Sequence, residues 1–306
     1  MKRYIFLTVA ITAVVAFAQV GSSQYTWKAT LNIVDDRVKP VSEAKVIVYY
    51  MLTNSIVGLA DTNGIFVASH RDQSVDLAFE VEKQGYYTTR VDYHLGFYYK
   101  LEKWNPTQTI VLRKIGNPIP MYAKQQEMRF PKLNEPVGFD LMTGDWVTPY
   151  GKGFHTDILL SARRTIISDR AFNADLTVTF PNKGDGIVVG PAEPVSGSEF
   201  KTSRTAASSG YNPELVLHYS STERPQSVFG YFVRVRTEFD QNGQIKSALY
   251  GKIRGTFRFY AGTTAPTSGM GFDYYLNPTP NDRNVEFNPQ KNLIRDLKPL
   301  EELKEP

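Results

Sequence analysis

Asp140, Asp145 and Asp157 stand close together in the segment Gly138 to Asp157, beside Trp146 and Tyr150. Such a set suits glycoside hydrolysis, which needs an acid and a base or nucleophile roughly 5–9 Å apart. An aromatic ring nearby could carry the sugar. This defines an acidic candidate site of Asp140, Asp145, Trp146, Tyr150 and Asp157 for a secreted carbohydrate-active enzyme. The same residues also read as a strand, a Gly-Asp turn and a buried Trp anchor, and Gly144, Gly151 and Gly153 mark turns either way. The anchor reading is preferred, because acidic residues beside aromatic ones are common in β proteins. No residue is therefore assigned as catalytic.

A second candidate is cationic. Phe229, Tyr231, Val233 and Val235 alternate with Gly230, Phe232, Arg234 and Arg236. Further on, Leu249, Ile253, Phe257 and Phe259 alternate with Tyr250, Lys252, Arg254 and Arg258. Asp240-Gln241-Asn242-Gly243 lies between the two arms. A three-residue loop with Gly243 in the left-handed region pairs Tyr231 with Ile253, Arg234 with Tyr250 and Val235 with Leu249. A two-residue loop sets Arg236 opposite Leu249 and mixes the faces, so the pattern selects the longer turn. One face is then apolar. The other carries Arg234, Arg236, Tyr250, Lys252, Arg254 and Arg258. Cations interleaved with rings can hold an anionic polymer or glycan by charge-assisted hydrogen bonds and stacking. The plainer reading is a solvated outer face, which antiparallel sheets commonly show.

Other chemistries find little support. His70, His94, His155 and His218 fit no zinc-peptidase spacing, and neither a Gly-x-Ser-x-Gly nucleophile elbow nor a phosphate loop occurs. Asp61-Thr62-Asn63-Gly64 lacks the alternating ligands and distal Glu of a calcium loop and reads as a plain turn. Neither a metal nor a cofactor is expected.

The elements that must position these residues are strands. Over 26–114, short runs such as Leu31 to Val34, Lys45 to Tyr50, Val75 to Glu82, Thr88 to Tyr93 and Thr107 to Leu112 are separated by turn residues. That pitch suits a sandwich. Pro118, Pro120, Pro131 and Pro136 place a linker at 115–136. Strand patterning resumes over 137–287 as a second antiparallel β domain. In the tail, 288–306, leucines at roughly helical spacing are interrupted by Pro299, so short helical turns or a docked tail are expected.

The first residues read as an address. Lys2 and Arg3 precede the uncharged run Tyr4 to Phe17, and Ala16-Phe17-Ala18 supplies a cleavage site, so 1–18 is expected to be a signal peptide. The run is shorter than the roughly 20 residues that cross a bilayer. No later run approaches that length, so no membrane span is expected after cleavage. The 306-residue chain has no cysteine, which excludes disulfides and a lipoprotein anchor. Its formal charge of +4 falls when Lys2 and Arg3 are removed, and that balance does not suit a nucleic-acid binder.

Three segments carry a resemblance. They are Lys39-Pro40-Val41-Ser42-Glu43-Ala44-Lys45-Val46-Ile47-Val48, then Ala60-Asp61-Thr62-Asn63-Gly64-Ile65-Phe66, then Phe79-Glu80-Val81-Glu82-Lys83-Gln84-Gly85-Tyr86. In this order they resemble the carboxypeptidase regulatory-like domain, a transthyretin-like or prealbumin-like sandwich. Ala60 departs from the usual Thr, and the stretch Tyr93 to Pro106 is longer than usual. The resemblance implies a seven-stranded, Ig-like sandwich over 26–114 that serves as a scaffold or interaction module and carries no catalytic residue.

The expectation is an all-β protein exported to the periplasm or beyond. It binds or scaffolds, and its partner is a polysaccharide or an envelope protein.

Overall fold

Val, Ile, Thr and aromatic residues fill the segments between turns, and the chain forms strands wherever they do. A computed structural model describes residues 25–50, 54–72, 76–94, 103–191, 197–263 and 267–306. The expected signal peptide lies outside the described residues.

The first part has eight segments: β1 (Tyr25–Asp35), β2 (Lys45–Tyr50), β3 (Asn54–Leu59), β4 (Ile65–Asp72), β5 (Asp76–Glu82), β6 (Thr89–His94), β7 (Lys103–Trp104) and β8 (Thr107–Leu112). One sheet runs β3-β2-β5-β6. In the other, β4 pairs with β1, and β7 and β8 run parallel to β1 one after the other. The eight segments therefore occupy seven strand positions. Trp27, Ala29, Leu31 and Ile33 alternate inward from β1 and meet Val46, Val48, Phe79 and Val81 of the facing sheet. The result is a β-sandwich.

The tight turn that carries the chain from β3 in one sheet to β4 in the other shows how local chemistry sets this frame. Asp61 accepts hydrogen bonds at one carboxylate oxygen from the amides of Asn63 (2.9 Å) and Ile65 (2.8 Å). Gly64 sits at φ +75°, and a Cβ there would lie 2.4 Å from the Ile33 carbonyl oxygen. Gly64→Ala is expected to cost about 2 kcal/mol, combining left-handed strain with a backbone collision. Urea denaturation measures this, and an unchanged midpoint would contradict it.

The second part is built from β9 (Tyr122–Arg129), β10 (Val137–Asp140), β11 (Asp145–Trp146), β12 (Ile158–Ser168), β13 (Ala171–Thr179), β14 (Gly186–Val189), β15 (Glu214–Ser220), β16 (Gly230–Phe239), β17 (Ile245–Tyr260) and β18 (Gly269–Leu276). They form two five-stranded sheets, β11-β10-β12-β13-β15 and β14-β16-β17-β18-β9. A core that includes Phe139, Leu160, Leu176 and Val178 from one sheet and Val233, Ile253, Phe257 and Phe272 from the other lies between them.

Two expectations need correction, and one for the tail is met. Residues 122–129, inside the expected linker, form edge strand β9 because their backbone pairs with β18 from Tyr122↔Leu276 to Arg129↔Gly269. The tail meets its expectation, with one 3-10 turn, Pro289–Lys291, among the described residues and an irregular remainder that docks with Leu303 buried. The sheet containing β16, β17 and β18 is also covered on both faces. Its second face packs Phe232, Tyr250 and Tyr275 beneath Ala206, Val285, Phe287 and Leu303, which come from irregular segments. The solvated outer face expected from alternation is absent there, because the chain supplies its own third layer.

The two parts meet in a buried joint. Tyr87 stacks on Phe200 with ring centroids 5.3 Å apart, and its hydroxyl donates to Glu286 Oε1 (2.7 Å). The amides of Gly116 (2.8 Å) and Asn117 (2.9 Å) donate to the same carboxylate. Arg113 donates to the carbonyls of Phe200 (2.9 Å) and Thr202 (2.7 Å).

Candidate functional site

Register explains which side chains reach the acidic segment. The β16–β17 pairing is Tyr231↔Ile253, Arg234↔Tyr250 and Val235↔Leu249, with Gly243 at φ +75° in the turn, as the sequence pattern requires. Between Val235 and Phe239 the ladder shifts twice, and the shifts cancel, so Phe239↔Ile245 keeps the same register. Asp185 pins this bulge by accepting from the amides of Arg236 (2.9 Å) and Thr237 (2.8 Å). Arg236 takes φ +56°, and a bulge of this kind re-aims a side chain.

Arg236 thereby reaches the acidic loop. Its Nε donates to Asp157 Oδ1 (2.7 Å), and its Nη2 donates to Asp157 Oδ2 (3.1 Å) and Asp140 Oδ1 (3.3 Å). Asp157 also accepts from the Leu141 amide (2.8 Å). Asp140 accepts from the amides of Met142, Thr143, Phe154 and His155 and from the Thr143 hydroxyl. Asp145 accepts from the amides of Trp146 (2.8 Å) and Lys152 (2.9 Å). Trp146 is buried edge-on to Phe139, whereas Tyr150 is partly exposed. The ring that was to carry a sugar is thus in the core.

The two carboxylates nearest Arg236 are driven apart electrostatically. Burial pushes the Asp157 carboxyl up, and the Arg236 guanidinium only partly opposes this. Burial also acts upward on Asp140, but the amide donors of Phe154, His155 and Thr143 outweigh it and hold the group below its ordinary value. A cavity of about 540 Å³ opens beside them, lined by His155, Thr156, Asn182, Arg236 and Glu238. His155 Nε2 stands 3.8 Å from Asp157 Oδ1. Asp157 itself is fully buried and gripped by two guanidinium bonds, a geometry that fixes a loop to a sheet.

The cationic face is equally engaged. Arg234 donates to the Gly184 carbonyl (2.7 Å) and lies over the Tyr211 ring. Arg254 pairs with Asp273 (2.9 Å) and with Glu305 of the tail. Arg258 pairs with Glu127 of β9 (2.9 Å) and Asp273 (3.0 Å). Tyr250 is buried. Lys252 is 1% exposed, with its ammonium 4.9 Å from the Phe200 ring centroid, 4.6 Å from that of Tyr275 and 3.3 Å from the Thr202 hydroxyl. Burial pulls its pKa down to about 7. These six residues are therefore not gathered on one open surface. Phe232 and Tyr250, two aromatic residues among the cations, were the sequence signal that something covers this face.

His218 bonds Asp175 at 2.6 Å on the surface of β13 and β15. Among the described residues, no group of three or more His, Asp or Glu side chains is arranged to hold a metal ion. No helix among them is long and apolar enough to cross a membrane, which says nothing of strands.

No family model matches the chain, and no curated protein is similar to it. Solved structures show distant likeness. The 3-chlorocatechol 1,2-dioxygenase of Rhodococcus opacus is 12% identical over 32% of this chain and 63% of its own, with a TM-score of 0.27. A DUF3823 family protein from Parabacteroides merdae is 8% identical over 86% of this chain and 99% of its own, with a TM-score of 0.22. A protein of unknown function from Bacteroides fragilis is 11% identical over 84% and 99%, with a TM-score of 0.23. At these values none of the three bears on chemistry.

Proposed function

We propose that this chain is an exported, non-enzymatic binding or scaffolding protein of the bacterial envelope or extracellular space, with a polysaccharide or another envelope protein as its partner. The observation that carries the reading is how the chemistry-bearing groups are used. Asp140, Asp145, Asp157, Arg236, Glu286 and Arg113 all hold the chain's own backbone or one another. A hydrolase needs an acid and a base free to face substrate. Here the amides of the acidic loop occupy both oxygens of Asp140 and both of Asp145.

The joint supports a scaffold role. Tyr87 and Glu286 tie segments far apart in the chain, and a buried, hydrogen-bonded polar joint resists hinge motion. The first part is read as a carboxypeptidase regulatory-like module. In support, Asp61 to Gly64 form a tight turn where the resemblance places one, and Lys45 to Val48 begin a central strand. The leader pattern at the start supports export.

The test is co-sedimentation of the purified chain with insoluble cell-wall and capsular polysaccharides, with released reducing ends measured in parallel. Retention on at least one polymer without release is expected. Turnover of any polymer would overturn the reading.

A further inference from the structure

A cavity of about 780 Å³ lies at the joint and belongs to neither the acidic loop nor the cationic face. Its wall includes Arg37, Lys39, Lys114, Arg204, Asp36 and Tyr86. Arg204 is fixed by Asp36 (3.3 Å), the Lys114 carbonyl and buried Glu286 (3.7 Å). Arg37, Lys39 and Lys114 are exposed, and among the described residues their side chains form neither an ion pair nor a hydrogen bond. Three cations without an ion-pair partner among the described residues, from two separate loops, thus face one concavity, whose wall also carries Asp35 and Asp36.

The loop that presents two of them is strained. Three tight turns among the described residues share one geometry. In each, an Asp carboxylate accepts from the amides two and four residues on, and its backbone closes the loop. Asp61 does this with Gly64 at φ +75°, and Asp240 with Gly243 at φ +75°. Asp35 does the same, accepting from the amides of Arg37 and Lys39 (2.8 Å each), but the left-handed position holds Val38 at φ +61°. A β-branched residue there is a conformational outlier. Val38 is also 78% exposed, so no burial offsets the strain. Strain of this kind gathers at ligand clamps, where surrounding bonds over-determine the backbone.

We propose that this cleft binds an acidic oligosaccharide through its carboxylate or sulfate groups. This rests on the binding reading above and names a ligand class and a site for it. Arg37 and Lys39, held in a pre-formed loop, meet the anionic groups from one side, and Lys114 meets them from the other. Guanidinium groups suit both anions because they donate in pairs. Tyr86 is the aromatic surface of the wall and supplies a face for a sugar ring, and the volume falls within the range of small-molecule pockets.

The experiment is calorimetric titration of the intact chain with hexagalacturonate, which carries carboxylates, and with a heparin hexasaccharide, which carries sulfates. Maltohexaose is the uncharged control and poly-aspartate the non-sugar polyanion. Saturable binding of at least one acidic sugar is expected, with maltohexaose silent and affinity falling as salt rises. The variant Arg37→Ser/Lys39→Ser/Lys114→Ser should bind at least tenfold more weakly. A Lys114→Ser single variant should bind about threefold more weakly, and circular dichroism confirms that both fold. Absence of binding by either sugar, equal affinity in the triple variant, or equally tight binding of poly-aspartate would overturn the proposal. If the oligosaccharides fail while polysaccharide co-sedimentation persists, the cleft assignment falls and the binding reading stands. If reducing ends are released, the binding reading falls, and titration still reports on the cleft.

Discussion

Arg236→Met is expected to lower the stability of the chain by about 3–5 kcal/mol, because it strands a buried carboxylate without its counter-charge. Arg236 is the only cation within salt-bridge distance of Asp140 among the described residues, and Asp157 has just His155 besides. The pH dependence has a definite sign. Asp157 has its folded pKa raised by burial above the unfolded value, so the native state takes up its proton first. Loss of Arg236 raises that pKa further, so the deficit should be largest near pH 7 and shrink on acidification. Asp140 works in the opposite direction. Its folded pKa is depressed, so its contribution is present above the unfolded value and is lost as pH falls through the folded one. Urea denaturation of both proteins at pH 7 and pH 5 separates these effects. A deficit below about 1 kcal/mol at pH 7 would mean that the pair is no better than a surface salt bridge.

Lys252→Met should move stability the other way. The ammonium sits in an aromatic box with a hydroxyl as its one hydrogen-bond partner, and Arg113 and Arg254 add like charge while Glu286 opposes them. Its pKa, drawn down to about 7 from 10.5, lies below the unfolded value. Between those limits the unfolded chain binds more protons, so wild-type stability rises with pH through this window. A shift of this size corresponds to on the order of 5 kcal/mol. Tyr87 and Tyr219, which are buried, and Tyr211, which is partly buried, have raised pKa values and erode stability above about pH 10, so the rise is best read from pH 7 to 9.5. Methionine fills nearly the same volume without a charge, and such replacements stabilise by about 1–4 kcal/mol. The gain should be greatest at or below pH 7 and fade as pH rises. A variant less stable than wild type at pH 7, or one that keeps the slope, would show that the ammonium is held favourably.

Much of the architecture was legible locally. Strand periodicity, the turn residues Asp61-Thr62-Asn63-Gly64 and Asp240-Gln241-Asn242-Gly243, and the β16–β17 register were readable because each depends on neighbours in the chain. The acidic segment was legible as a cluster, but its use was not. Nothing near Asp157 in sequence indicates that Arg236 will reach it, since that contact needs a bulge pinned by Asp185 from a third segment. Alternation in β16 and β17 was read as one wet face, yet the covering layer comes from Ala206, Val285, Phe287 and Leu303, which lie in irregular stretches without periodic signature. Residues 122–129 were placed in a linker because flanking prolines dominate that composition, while the pairing that makes them a strand lies in β18.

The amino-acid sequence by itself determined that this chain would be built from strands, where its tight turns would fall and which residues would pair across its longest hairpin. These are short-range consequences of side-chain alternation and backbone freedom at a few glycines. Only the tertiary structure decided which charges would be buried and matched, which aromatic rings would be hidden, and that Arg37, Lys39 and Lys114 would converge on one cleft. Those outcomes depend on contacts between segments far apart in the chain, where desolvation and charge pairing act through space and leave no local pattern to read.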